Sequence, residues 1–179
     1  MIIQNYSRLD NKEMIVLQEN ITAQTAKHKT IFHFHKGLKY HCFYFKAQDS
    51  RLFSYSDKYN DDLYNGDVCE IFIKYGKKNH YYEIEVAPNG AVFLADIENI
   101  NGKFNGLRLS NNFTKTTVKC GQNDYIVKIK IPRSLIKTKK VEFNAFRIET
   151  EGGTKQNLYA LYPTMCNTFH VIDCLKSLR

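Results

Sequence analysis

Residues 61 to 97, DDLYNGDVCEIFIKYGKKNHYYEIEVAPNGAVFLADI, constrain the fold more than any other stretch of the chain. Apolar and polar side chains alternate there with period two, the signature of β-strands, and two turn signals break the alternation at strand-length intervals. Val68 to Lys74 is predicted as one strand, Gly76-Lys77-Lys78-Asn79 turns the chain, and Tyr81 to Val86 returns it. Asn89-Gly90, a dipeptide suited to the positive φ of a tight hairpin, then launches Ala91 to Ile97. Two hairpins in succession make an antiparallel meander.

Successive side chains of a strand point to opposite faces of the sheet. Cys69, Ile71 and Ile73 therefore share a face, as do Tyr82, Ile84 and Val86, while Glu70, Phe72 and Lys74, and likewise Glu83 and Glu85, lie on the opposite side. A first turn centred between Lys77 and Lys78 sets Glu70 opposite Glu85. A second centred on Asn89-Gly90 sets Glu83 opposite Asp96, so four carboxylates are expected on one face. Like charges directly opposed destabilise a sheet, so the gathering calls for a counter-charge, a shared proton or a ligand, unless solvent and nearby lysines suffice. Arg147, in a strand predicted over Val141 to Thr150, is the expected partner of Glu70 or Glu85, because a guanidinium can engage a carboxylate through two parallel hydrogen bonds.

The remaining chain has little helical period. Met14 to Leu17 is read as a short edge strand, Ile31 to His35 and Leu38 to Ala47 as a hairpin with Phe32 and Phe34 on one face, and Phe113 to Cys120 with Tyr125 to Ile131 as another. Pro132 closes that strand and opens a single helical turn over Arg133 to Ile136. Leu158 to Leu161 and Val171 to Leu175 complete the strands, and Gln48 to Gly66 and Asn99 to Asn112 are predicted as loops. Many short strands separated by turn residues predict an all-β fold, an antiparallel β-sandwich of immunoglobulin-like or jelly-roll-like type. At 179 residues, a single domain over 1–179 is expected.

Twenty-six Lys and Arg against 18 Asp and Glu give a net charge of +8, which raises nucleic acid or an anionic surface as partners. The basic residues are spread along the chain, with only Lys137 to Lys140 clustered, so a solvated lysine-rich surface is expected in place of a nucleic-acid stripe. Five cysteines without a CxxC suggest neither a disulfide framework nor a zinc knuckle. His33, His35 and His41 lack the spacing of a metal site and read as a strand face. The opening MIIQNYSRLDNKE is too polar for the core of a secretion signal, and no apolar run reaches the length of a membrane span. A soluble protein in a reducing, cytoplasmic compartment is expected, with a secreted protein whose signal has been removed as the alternative.

Four strings carry a resemblance: Tyr64 to Ile73 (YNGDVCEIFI), Tyr81 to Gly90 (YYEIEVAPNG), Phe143 to Glu149 (FNAFRIE) and Leu161 to His170 (LYPTMCNTFH). Their order and spacing resemble those of the family 9 carbohydrate-binding modules and their relatives, which share a β-sandwich of the DOMON type, over roughly residues 31 to 178; the IPRSLI segment ending at Ile136 recurs there too. The resemblance implies a non-catalytic sugar-binding module. In that family two tryptophans clamp the sugar and an acid of a D-x-x-E strand start binds its hydroxyls; Asp67 and Glu70 match that motif. Tyr64 stands about where the first ring is expected, and Tyr162, beside Pro163-Thr164, is the second. The long loop adds Tyr55 and Tyr59 with Asp57, Asp61 and Asp62, a set suited to stacking on a sugar or to holding calcium through oxygen ligands.

The candidate ligand-binding residues are thus Tyr59, Tyr64, Glu70, Glu85, Arg147 and Tyr162. Calcium, structural in relatives, has Asp57, Asp61, Asp62 and the Glu70/Glu85 pair as candidates. Two departures stand out: the chain has no tryptophan, and Glu85 sits near where the family has an arginine reaching the ligand. Facing carboxylates could in principle serve a glycoside hydrolase, but neighbours on adjacent strands sit close, and no G-x-S-x-G, P-loop or Cys-His arrangement supports another enzyme class. The alternative to the sugar module is a sandwich without a sugar site that binds a protein or an anionic polymer through its basic surface.

Overall fold

A computed structural model describes residues 14–178; the polar opening read against a secretion signal lies, up to residue 13, outside the described residues. Twelve strands run through the described part: β1 Ile15–Val16, β2 Gln18–Glu19, β3 Thr30–Lys36, β4 Tyr40–Gln48, β5 Val68–Lys74, β6 His80–Val86, β7 Val92–Ile100, β8 Lys103–Arg108, β9 Lys115–Cys120, β10 Asp124–Pro132, β11 Phe143–Glu151 and β12 Lys155–Ala160. They form two antiparallel sheets, one of five strands in the order β1-β3-β4-β10-β9 and one of seven in the order β2-β12-β11-β5-β6-β7-β8. The expected all-β antiparallel sandwich is what forms. No described helix is long and apolar enough to cross a membrane.

Period-two patterning builds the layer between the sheets. Phe32, Phe43 and Phe45 of the smaller sheet and Ile71, Ile73, Ile84 and Phe143 of the larger are all withdrawn from solvent. Phe43 and Phe143 meet edge-on at 5.1 Å between ring centroids, a favoured aromatic geometry. Each such side chain contributes about 1.5–3 kcal/mol by leaving water. Leu17, fully buried, marks the crossing of the chain from β1 in one sheet to β2 in the other.

A second apolar cluster covers part of the outward face of the seven-stranded sheet. Phe72, Tyr81, Phe93, Phe146 and Ile148 face away from the sandwich interior and are covered by Leu63 and by Phe169 and Leu175 of the C-terminal segment. That segment is pinned at its start by Asn20, whose side-chain amide donates to Thr164 Oγ1 and the Cys166 carbonyl, each at 2.8 Å. Farther on, the Asn99 amide donates to the His170 carbonyl at 2.8 Å. The covering leaves a hollow between the C-terminal segment and the edge strand β8.

Three expectations are corrected. The polar stretch within Asn99 to Asn112 contains strand β8, all six residues of which are exposed; with both Asn105 and Gly106 in it and no buried face, it carries no apolar alternation to read. Val171 to Leu175 contains a 3-10 turn, Ile172–Cys174, instead of a strand. The β6–β7 connection holds one residue more than a two-residue turn: Ala87 N donates to Ala91 O, and Gly90 adopts φ +91°. Glu83 therefore faces Ala95, and Asp96 faces Tyr82 on the other side of the sheet.

Candidate functional site

The predicted pairing at the centre of the meander holds. Glu70 of β5 lies directly opposite Glu85 of β6, and Glu83, two residues before Glu85, shares their face. Three carboxylates, not four, form the floor of a hollow of about 500 Å³ on the outward face of the large sheet. Asp96 is elsewhere, accepting from the Tyr75 hydroxyl and contacting His80 Nδ1 at 2.9 Å.

Apolar residues complete the floor, and four segments raise the walls. Phe72 and Ile148 supply apolar floor beside the acids, and Phe93, Ala95 and Ile97 of β7 extend it toward the edge. From β8 come Phe104, Gly106 and Arg108, from the 3-10 turn at Leu63–Asn65 comes Tyr64, from β12 comes Gln156, and the C-terminal segment adds Asn167 to His170. Tyr64 and Phe104 are about half exposed at the rim. Gly106 keeps the space beside Ile97 open, since a Cβ there would stand 2.9 Å from Ile97 Cδ1.

The electrostatics are unusual for a basic protein. Burial pushes the Glu83 carboxyl up to about 8, and burial together with neighbouring carboxylates holds Glu70 and Glu85 well above the ordinary range. Glu70 Oε1 and Glu85 Oε2 are buried without a hydrogen-bond partner. His170 does not supply the missing charge: burial lowers it to about 4, so its ring is neutral at pH 7. That ring is fixed by a 2.7 Å hydrogen bond between its Nδ1 and the Tyr81 hydroxyl, and by Phe104 stacked on it at 3.7 Å. Its Nε2 stands 4.0 Å from Glu83 Oε1. Arg108 is the cation of the wall, but it is committed to Asp62 and to the Asn60 carbonyl, with its guanidinium over the Phe93 ring.

Of the six residues expected to bind a ligand, Tyr64, Glu70 and Glu85 line the hollow, and Tyr59, Arg147 and Tyr162 do not. Arg147 pairs in register with Cys69, so its side chain enters the sandwich interior and cannot meet Glu70 or Glu85. There it donates to Asp49 Oδ2 at 2.9 Å and Thr30 Oγ1 at 3.0 Å. The Tyr59 hydroxyl donates to the Leu109 carbonyl at 2.7 Å and helps fasten the long loop to the chain beyond β8. Tyr162 packs against the inter-sheet core under Lys176.

Asp67, half of the D-x-x-E match, acts as a clasp: it accepts from Phe53 N and Thr150 N, both at 2.6 Å, joining the long loop to β11. Burial raises it to about 6. Gly66 permits the close approach, because a Cβ there would lie 2.7 Å from the Phe53 carbonyl. The calcium candidates are divided among other tasks: Asp62 pairs with Arg108, and Asp61 is held below the usual carboxylate range by the Ser56 hydroxyl. Among the described residues no group of three or more His, Cys, Asp or Glu side chains could hold a metal ion. His33 and His35 face away from the sandwich interior, whereas His41 lies on the opposite side of the sheet, buried and lowered to about 4 by burial.

Sequence reasoning singled out Glu83 as a face-mate of Glu85 without naming it as a contact. It missed Phe104 and Arg108, which sit in the stretch read as a loop. It also missed His170, the last residue of a string quoted only for its likeness.

The architecture places the chain in the class of two-sheet antiparallel sandwiches. No protein-family model matches the chain, and no curated protein matches it significantly. Solved structures do. A candidate carbohydrate-binding protein from Bacteroides uniformis superposes with a TM-score of 0.76 at 13% identity, covering 93% of this chain and 85% of that one. A family 9 carbohydrate-binding module from Caldicellulosiruptor kristjanssonii, in complex with cellotriose, gives a TM-score of 0.64 at 12% identity, with 92% and 80% covered. The glucose complex of a family 9 module from that organism gives 0.60 at 13%, with 83% and 74% covered. At these identities the likeness shows the fold.

Proposed function

We propose that this chain is a non-catalytic carbohydrate-binding module of the family 9 kind on a DOMON-type sandwich, acting as one unit over residues 1–179 and taking one sugar ring, free or at the end of a chain. The observation that carries the reading is the hollow itself: about 500 Å³, rimmed by the half-exposed rings of Tyr64 and Phe104 and floored by Glu70, Glu83 and Glu85. Aromatic faces suit the apolar side of a pyranose, and a few fixed polar groups suffice to read its hydroxyls. In this reading Phe104 takes the part first assigned to Tyr162. The solved structures of like fold, two of them holding glucose or cellotriose, lend support. The test is isothermal titration against mono- and disaccharides: binding that disappears in Tyr64→Ala and Glu70→Ala upholds the reading, and silence across the panel overturns it.

One observation favours the alternative partner, an anionic polymer. The outer face of the five-stranded sheet carries Lys115 and Lys130 over the Tyr40 ring and Lys128 over Tyr44, a basic and aromatic surface. Salt-sensitive retention on heparin, lost when these lysines are replaced by glutamine, would favour it.

A further inference from the structure

The floor of the hollow is built for positive charge. Glu70 and Glu85 are 2% and 1% exposed, oppose each other across β5 and β6, and each leaves a carboxylate oxygen without a partner. An unpaired buried polar atom costs free energy that a bound donor would recover. The charged groups facing the hollow are Glu70, Glu83, Glu85, Asp62, Arg108 and His170. β7, β11 and β12 contribute Phe93, Ala95, Ile97, Ile148, Gln156 and Leu158, none of them ionisable. Arg108 is matched by Asp62, and His170 is neutral, which leaves three acids with no cation among the described residues.

A neutral sugar hydroxyl can donate one hydrogen bond to these acids but brings no charge to compensate them once they ionise. A protonated primary amine brings three donors and a full positive charge to a site already removed from water. We propose that the hollow takes a saccharide carrying a free amino group, such as a 2-amino-2-deoxyhexose, with the ammonium over the Glu70/Glu83/Glu85 floor and the ring against Tyr64 and Phe104. This inference rests on the carbohydrate reading for the ring and on the acidic floor for the amine.

Ammonium binding requires ionised carboxylates, so protons held by the floor leave as the ligand enters. Affinity therefore rises with pH up to near neutrality, as the carboxyls raised by burial give up their protons, and falls again where the amine of the ligand loses its own proton.

The experiment is isothermal titration of the full chain with glucosamine, glucose and N-acetylglucosamine, repeated in buffers of differing ionisation enthalpy. Glucosamine is expected to bind at least about tenfold more tightly than the two neutral sugars, with release of protons. Glu85→Gln, close in shape and uncharged, is expected to remove that preference while its melting temperature shows it folded. Equal or tighter binding of glucose overturns the amine and leaves the carbohydrate reading standing. Binding of none of the three by the folded protein overturns both. Should Glu85→Gln fail to fold, Glu83→Gln reads the same preference, and its persistence there counts against the proposal.

Discussion

Arg147 donates from Nη2 to Asp49 Oδ2 across 2.9 Å inside the sandwich, with its side chain wholly withdrawn from solvent and that of Asp49 8% exposed. The guanidinium also lies between Tyr125 and Tyr159, at 5.7 and 5.8 Å from their ring centroids. A cation in this position holds the start of the long loop, at Asp49, against the large sheet. It serves the architecture and stands on the opposite side of that sheet from the acids it was expected to neutralise.

Removing Asp49 takes a charge-assisted hydrogen bond from a buried guanidinium that keeps Glu149 Oε1 at 3.9 Å. Asp49→Ala is expected to cost about 1.5–3 kcal/mol, the scale of a hydrogen bond to a charged group. Urea unfolding followed by fluorescence would measure it. A loss within the range of an ordinary surface substitution would show that the pair is not what holds the loop.

The acidic floor makes stability fall with rising pH. Glu83 ordinarily titrates at 4.5 and is pushed up to about 8 in the folded chain. The folded state thus holds its proton more tightly than the unfolded one, a contribution complete below about 4.5 and lost as pH rises through about 8. His41 and His170, lowered from 6.5 to about 4, act oppositely and weaken the fold as pH falls through that window. Glu83→Gln is expected to melt higher than the natural chain near pH 8, by roughly 2–4 °C for each kcal/mol relieved, and alike near pH 4.5. Melting curves across this range decide it.

The rim aromatics should separate binding from folding. Tyr64→Ala, at a half-exposed position, is expected to change stability by no more than about 0.5 kcal/mol, and Phe104→Ala, which loses its stack on His170, by about 1 kcal/mol. Each should weaken saccharide binding by about 1 kcal/mol, on the scale of an aromatic contact. Tyr162→Ala, remote from the hollow, should leave affinity unchanged; titration of all three variants with one sugar gives the comparison.

The cysteines should react in order of access. All five are free, Cys120 exposed and Cys69 fully buried. Burial pushes the Cys69 thiol up to about 12, and only the thiolate is nucleophilic. Iodoacetamide on the native protein near pH 8 is expected to alkylate Cys120 and spare Cys69 until denaturant is added, as mass spectrometry of the digested chain would show.

The sequence alone determined the meander, because period two and a symmetric turn leave one register for Glu70 opposite Glu85. It determined equally the apolar row of Cys69, Ile71 and Ile73, since a one-residue slip would carry that row out of the core. It did not determine the fate of Asp96, where one extra residue beside Gly90 moved the side chain to the other face.

Nor could it decide that Arg147 turns inward. Alternation sorts residues into two sets but does not say which set of a strand buried on both faces meets the acids. The hollow belongs wholly to the tertiary structure: Phe104, Arg108 and His170 come from an edge strand and a terminal segment whose polar sequences carry no period. Pairing of β8 with β7 brings Phe104 and Arg108, and packing of the C-terminal segment over Phe72 and Phe146 brings His170, beside Glu70, Glu83 and Glu85.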